Sequence, residues 1–237
     1  YRSFDQDYSD LKRADRFLAE LARFEQEGAM PRLQIVRLPN DHTSGTKKGA
    51  PTPAACMADN DLAFGRIVEG LSHSRFWKEM AIFGIEDDPQ AGWDHVSGYR
   101  TTAYVISPYA KRKSVVSTHY NTTSIIRTLE QILGLPVMNQ FDASATPMAD
   151  CFTETPDFTP FTALAANIPL DQMNPDPVTI TDPILRQDAI ASARMNFREV
   201  DKAPEDPLNR ILWRAMKGSR TPYPEWAVTP DADDDDQ

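Results

Sequence analysis

Apolar and polar positions alternate along this chain with two distinct periods, and the switches between them predict its elements. Leu11, Ala14, Phe17, Leu18, Leu21 and Phe24 recur at three- and four-residue spacing, which predicts an amphipathic helix over 9–27 that Gly28 can stop. Leu33-Gln34-Ile35-Val36-Arg37-Leu38 reads as a short buried strand closed by Pro39, and a polar, glycine-containing loop follows over 40–49. A second helix is predicted over 55–73, with Leu62, Ile67, Val68 and Leu71 toward a core. Met80 to Ile85 and Ala103 to Ser107 read as two further strands, the second ended by Pro108. The 122–133 helix is the best defined: Asn121 or Thr122 can cap it, Ile125, Ile126, Leu129, Ile132 and Leu133 form one face, and Gly134 and Pro136 end it.

This alternation favours an α/β layered sheet. Beyond residue 140 the pattern changes. Pro147, Pro156, Pro160, Pro169, Pro175, Pro177 and Pro183 mark an extended segment that wraps a surface, and helices are expected near 183–197 and 205–217. The expected division is therefore an α/β core over 1–140, a Pro-rich segment over 141–182, a helical extension over 183–230 and an acidic tail over 231–237.

Composition narrows the class. The chain has 237 residues, 41% of them hydrophobic and 25% charged, enough for one sizeable core. No apolar run approaches the ~20 residues of a membrane helix. Net charge is −10, and five of those charges lie in Asp231, Asp233, Asp234, Asp235 and Asp236. The remaining mild acidity argues against nucleic acid or an anionic membrane as the main partner. Tyr1-Arg2-Ser3-Phe4 has neither an initiator Met nor a signal-peptide pattern, so a processed chain or a piece of a longer protein is expected. Cys56 and Cys151 suit either one disulfide or two buried thiols.

The candidate chemistry gathers where strands end. The run ending at Ile85 meets Glu86-Asp87-Asp88, and His95, preceded by Asp94, lies in the long loop that follows. Carboxylates at a strand terminus suit a hard metal or a solvated turn equally. Asp41 and His42 also lie just beyond a strand. In a parallel sheet the carboxyl ends of strands share one edge, so the two clusters are expected to meet there. Arg100, in the same loop as His95, is a candidate anion clamp. Lys47, Lys48 and the Lys111-Arg112-Lys113 run read first as solvated loop charge, and His73 and His119 carry weaker signals. Neither a nucleophile elbow nor a nucleotide-type phosphate loop is present.

The residues that carry a resemblance are Leu38-Pro39-Asn40-Asp41-His42-Thr43-Ser44-Gly45, Ala58-Asp59-Asn60-Asp61-Leu62-Ala63, and Glu86-Asp87-Asp88 through Asp94-His95-Val96. To these are added Arg100-Thr101, Val105-Ile106-Ser107-Pro108-Tyr109, Leu129 to Pro136, Gln140-Phe141-Asp142-Ala143, Ile168-Pro169-Leu170-Asp171 with Met173-Asn174, and Asn209 to Trp213. Together they resemble the bacterial phosphoesterase family of acid phosphatases and phospholipase C-like enzymes, within the alkaline phosphatase superfamily, and in particular its C-terminal portion. The resemblance implies a partial alkaline-phosphatase-like α/β/α sandwich with divalent metal ions at the sheet's carboxyl edge. By resemblance, His42, Asp87, Asp88, His95 and Asp41 are metal ligands, the ion being zinc, manganese or calcium; Arg100, the candidate anion clamp, is then expected to bind the phosphate-ester substrate.

The Thr or Ser nucleophile is expected upstream of Tyr1, in the N-terminal half of the same protein or in a partner chain. Family habit implies a periplasmic or extracellular location. One departure stands out. Ser97-Gly98-Tyr99 follows Val96 where this subgroup carries Asp-Ala-His, and this favours the alternative of a non-catalytic module that keeps the fold for assembly or surface binding.

Overall fold

Ser9 opens helix α1 (Asp10–Glu27) by accepting a 3.1 Å hydrogen bond from the Leu11 backbone N–H, and Gly28 closes it in the left-handed region at φ 71°. This is a computed structural model, and it describes residues 1–87, 100–200 and 202–228, with the side chain of Trp226 excepted. Helix α2 (Pro53–His73) starts with Thr52 as its cap and Pro53 in the first turn, where a missing N–H costs nothing. The apolar stripe of α1 buries Ala14, Phe17 and Leu21 against Ala63, Ile67 and Leu71 of α2. Each such large side chain contributes about 1.5–3 kcal/mol. Gly70 lets the helices approach this closely, because a Cβ there would collide with Leu18 Cδ2.

Two strands follow, β1 (Ile82–Ile85) and β2 (Ala103–Ile106). They pair antiparallel, in the register Ile82–Ile106 to Ile85–Ala103, as a two-stranded sheet. The parallel arrangement expected from the sequence is not what these two strands form. The sequence 33–38 forms no strand either. It runs extended with the expected two-residue alternation, Val36 and Leu38 packing on the α1–α2 core while Leu33 and Ile35 are 48% and 90% exposed. A strand requires a neighbour's backbone, and among the described residues no strand lies beside it. The fold is thus mixed helix and small sheet, broadly α/β.

Helix α3 (Thr122–Leu133) has the predicted ends: Asn121 and Ser124 form a capping box, and Gly134 closes it at φ 68°. Its apolar face, however, is not in a core. The buried positions are Ser124, Thr128 and Glu130, while Ile132 is half exposed. The reason is hydrogen bonding: Thr128 Oγ1 donates to Ser124 O and accepts from the Met148 backbone N–H at 2.9 Å. A short helix α4 (Gln140–Ser144), capped by Asn139 and Asp142, was not expected from the pattern.

The Pro-rich stretch then straps across the core. Phe161 N–H donates to Ser72 Oγ, Asp157 N–H to Pro108 O and Thr52 N–H to Gln172 O. Helices α5 (Pro183–Ser192) and α6 (Glu205–Lys217) follow, α5 stopping five residues earlier than expected, and a 3₁₀ turn over Glu225–Ala227 comes last. Both nitrogens of the Arg214 fork bind Asp188 at 2.6–2.7 Å and join the two helices. Cys56 and Cys151 are two buried free thiols, which decides between the alternatives the sequence left open.

Candidate functional site

Asp41 and His42 sit on one 3₁₀ turn, Asn40–His42, between the extended segment and α2. The turn is tied down from beneath by two buried carboxylates. Asp59 Oδ2 accepts from the Asn40 side-chain amide at 2.6 Å and from the Asp10 backbone N–H at 2.7 Å, and Asp59 Oδ1 accepts from the Ser9 hydroxyl at 2.6 Å. Asp10 Oδ2 accepts from the Asn40 backbone N–H at 2.8 Å and from Asn60 Nδ2 at 3.1 Å. The Arg13 guanidinium, fully buried like Asp10, pairs with Asp10 Oδ1 at 3.0 Å and donates its other hydrogens to carbonyls of the N-terminal segment. Burial raises the Asp10 carboxyl, while Asn40, Asn60 and Arg13 oppose that rise.

Above this knot, Asp41 Oδ1 accepts from the His42 backbone N–H at 3.1 Å, and the His42 ring meets Phe4 edge-on, with 5.3 Å between ring centres. Thr43, directly after His42, is buried at φ 59°, a conformation a β-branched residue adopts only under constraint.

The charges of the second acidic cluster reach Asp41. Burial lifts the Asp41 carboxyl to about 6, and the carboxylates of Asp10, Glu86 and Asp87 push it in the same direction. Glu86 is fixed at the mouth of the β1–β2 connection: its N–H donates to Thr102 O at 3.2 Å, and Thr101 Oγ1 donates to its carbonyl at 3.0 Å. The Asn40–His42 turn and the end of β1 thus act on each other electrostatically although β1 and β2 run antiparallel. Carboxylates and imidazole are the donor types that suit a hard or borderline divalent cation.

Asp88 and His95, two of the five predicted ligands, lie outside the described residues, as do Ser97, Gly98 and Tyr99. Among the described residues, no three His, Cys, Asp or Glu side chains form a group that could hold a metal ion. Arg100 is exposed where that loop rejoins the described chain.

The other candidates have structural roles. His73 Nδ1 lies 2.9 Å from Glu69 O within its own helix. Lys48 pairs with Asp176, and Arg112 pairs with Asp157 and lies over the Phe161 ring. His119 lines a cavity of about 270 Å³ with Asn121, Ser124 and Phe141, away from the acidic clusters. Sequence reasoning gave Asp10, Arg13 and Asp59 no role. Their signal was present: each is a charged residue on the helical spacing of buried positions, such as Asp10, Arg13, Ala14 and Phe17.

A match to the Phosphoesterase family covers residues 1–136, more than half the chain. The chain belongs to the phosphoesterase family. No curated protein and no solved structure matches it. The family match spans the Asn40–His42 turn, both helices that anchor it, the β1–β2 pair and α3. Membership supports a phosphate-ester hydrolase-like function with phosphate esters as substrates. No described helix is long and apolar enough to cross a membrane.

Proposed function

We propose that this chain supplies the metal-binding edge of a metal-dependent phosphate-ester hydrolase of the alkaline phosphatase superfamily. The supporting observation is the raised Asp41 carboxyl: burial first, then the charges of Asp10, Glu86 and Asp87, lift it to about 6. Like charges brought together in a half-buried place favour a cation between them. His42, Asp87, Asp88, His95 and Asp41 are the residues that would hold it, and zinc, manganese and calcium all suit such donors. A divalent ion there would polarise a phosphoryl oxygen and stabilise developing charge on the attacking and leaving oxygens. Arg100 would bind a phosphoryl oxygen through its planar fork. Buried Asp10 and Asp59 keep the Asp41–His42 turn in place.

The nucleophilic Thr or Ser would come from an N-terminal portion of the same protein or from a partner chain. Two observations support an added portion: segment 33–38, which among the described residues has no strand beside it and leaves Leu33 and Ile35 uncovered, and Ile132 of α3, which is half exposed. Strands added beside 33–38 would complete an α/β/α sandwich. A periplasmic or extracellular location follows the habit of the family. Ser97-Gly98-Tyr99, where an acid and a His are expected, favours a second reading as a non-catalytic phosphoesterase-fold module.

Calorimetric titration of the chain with Mn²⁺ and Zn²⁺, coupled to aryl-phosphate hydrolysis with and without the N-terminal portion, separates these. Saturable metal binding, with metal-dependent turnover once that portion is supplied, is the expected result. Absence of binding together with absence of turnover supports the non-catalytic module.

A further inference from the structure

Asn174 lies beyond the matched region, yet it is bonded to the loop that leaves His42. Its side-chain amide is directed at three backbone carbonyls, Gly45 O at 3.2 Å, Lys47 O at 3.1 Å and Pro51 O at 3.0 Å, and its own N–H donates to Ala50 O at 2.9 Å. Ser192, at the end of α5, holds the same loop from another side: its Oγ accepts from the Thr46 backbone N–H at 3.1 Å and lies 3.2 Å from Thr46 Oγ1. Both residues are buried, Asn174 6% and Ser192 0% exposed.

The loop fits this clamp closely. Gly45 has φ 57°, and a Cβ there would lie 2.7 Å from Ser192 Oγ. Thr43 Oγ1 accepts from the Gly45 N–H at 3.1 Å, which links the clamped stretch to the constrained residue next to His42. A buried β-branched residue at positive φ relaxes toward negative φ once its surroundings release it, and that rotation would turn the preceding residue.

We propose that Asn174 and Ser192 are positioning residues for His42, so that the segment beyond residue 136 sets the geometry of the metal edge. The proposal deepens the metal-site reading and rests on it for its purpose, though not for its geometry. The clamp acts through Gly45 and Thr43 on the orientation of the His42 ring. Groups hydrogen-bonded directly to a metal ligand change affinity by about 10–100-fold when removed, and a clamp acting through the backbone is expected to act at or below the low end of that range.

The test uses the full chain, ¹³C-labelled at histidine, in three variants. Asn174→Asp keeps the shape and removes the donors. Ser192→Ala removes one acceptor only, so the test survives if the first variant does not fold. Ile67→Val, in the α1–α2 core, is the control for general destabilisation. In the metal-free chain, Asn174→Asp and Ser192→Ala are expected to move the His42 ring resonance, while Ile67→Val leaves it in place. Mn²⁺ affinity is expected to fall by up to about tenfold in the first two and to stay unchanged in the third. A His42 resonance that stays put in both clamp variants overturns the proposal, whatever the metal result. A moved resonance in a chain whose unmodified form binds no Mn²⁺ upholds the clamp and overturns the metal-site reading instead.

Discussion

Asp59 and Asn40 are joined by a 2.6 Å hydrogen bond from the Asn40 side-chain amide to Asp59 Oδ2, and through it helix α2 holds the turn that carries Asp41 and His42. Asp59 also accepts from Ser9 Oγ and the Asp10 N–H, so its carboxylate serves three donors from two other segments. Asp59→Ala strands these buried donors, and the expected loss is about 2–4 kcal/mol, since each unsatisfied buried group costs about 1–3 kcal/mol. Urea denaturation of the variant measures it. A loss below about 0.5 kcal/mol, the range of ordinary surface changes, contradicts the role given to this knot.

Gly45 and Gly49 separate two effects of a side chain at positive φ. Both have left-handed backbones, but a Cβ at Gly49 meets nothing within 4 Å, whereas one at Gly45 presses on Ser192. Gly49→Ala is expected to cost about 1 kcal/mol for the conformation alone. Gly45→Ala is expected to cost clearly more, with overpacking adding about 1–3 kcal/mol. Thermal melting of the two variants side by side tests the difference, and equal melting points would contradict the close fit of Gly45.

Much of this architecture is legible in the sequence where local signals decide it. The 3.6-residue stripe of α1, the Asn121 and Gly134 limits of α3 and the two short strands appear where the pattern puts them. The pairing direction of β1 and β2 was not legible, because short apolar runs carry no information about which neighbour they meet. The strand expected over 33–38 failed for a related reason: its alternation is real, but no described strand lies beside it. For the site, the Asp41–His42 and Glu86–Asp87 clusters were readable from their places after apolar runs. The residues that hold them were not. Asn174 and Ser192 act across more than a hundred residues of sequence, and nothing in local spacing marks them.

Glu130 and Asp142 make a contribution to stability that peaks in the acid range. The hydrogen bond that Glu130 gives to Asp142, and burial after it, raise the Glu130 carboxyl. Burial pushes Asp142 upward too, but hydrogen bonds from Glu130 and from the Met138 and Asn139 N–H groups outweigh it and hold Asp142 at about 2. Asp142 therefore contributes stability fully above its unfolded value of about 3.9, and that contribution fades as pH falls toward about 2. Glu130 has the opposite sign: the folded chain retains its proton, so stability falls as pH rises above its unfolded value of about 4.3. Their joint contribution peaks near pH 4. Glu130→Gln keeps a donor and cannot ionise, so it is expected to remove the decline on the alkaline side. Melting temperature followed from pH 3 to 8 checks this, and parallel profiles for the variant and the unmodified chain would contradict it.

Neither cysteine is expected to react in the folded chain. Both are buried, and burial first, then the carboxylates of Asp59, Asp10 and Asp41, pushes the Cys56 thiol up to about 12. Titration with a disulfide reagent at neutral pH is expected to show slow reaction in buffer and rapid reaction of both thiols in urea. Fast labelling without denaturant would contradict the burial of these side chains.

The central claim is that the turn at His42 and the loop after Asp87 meet around one divalent ion, and the chain's four histidines provide the direct measurement. Mn²⁺ broadens nuclear resonances near it, so histidine ring signals recorded during a stoichiometric Mn²⁺ titration report which rings surround the ion. The account predicts that the His42 and His95 signals vanish together by one equivalent, while His73, bound to its own helix, and His119, in its separate cavity, remain sharp. Uniform broadening of all four signals, or loss of His119 before His42, would contradict it.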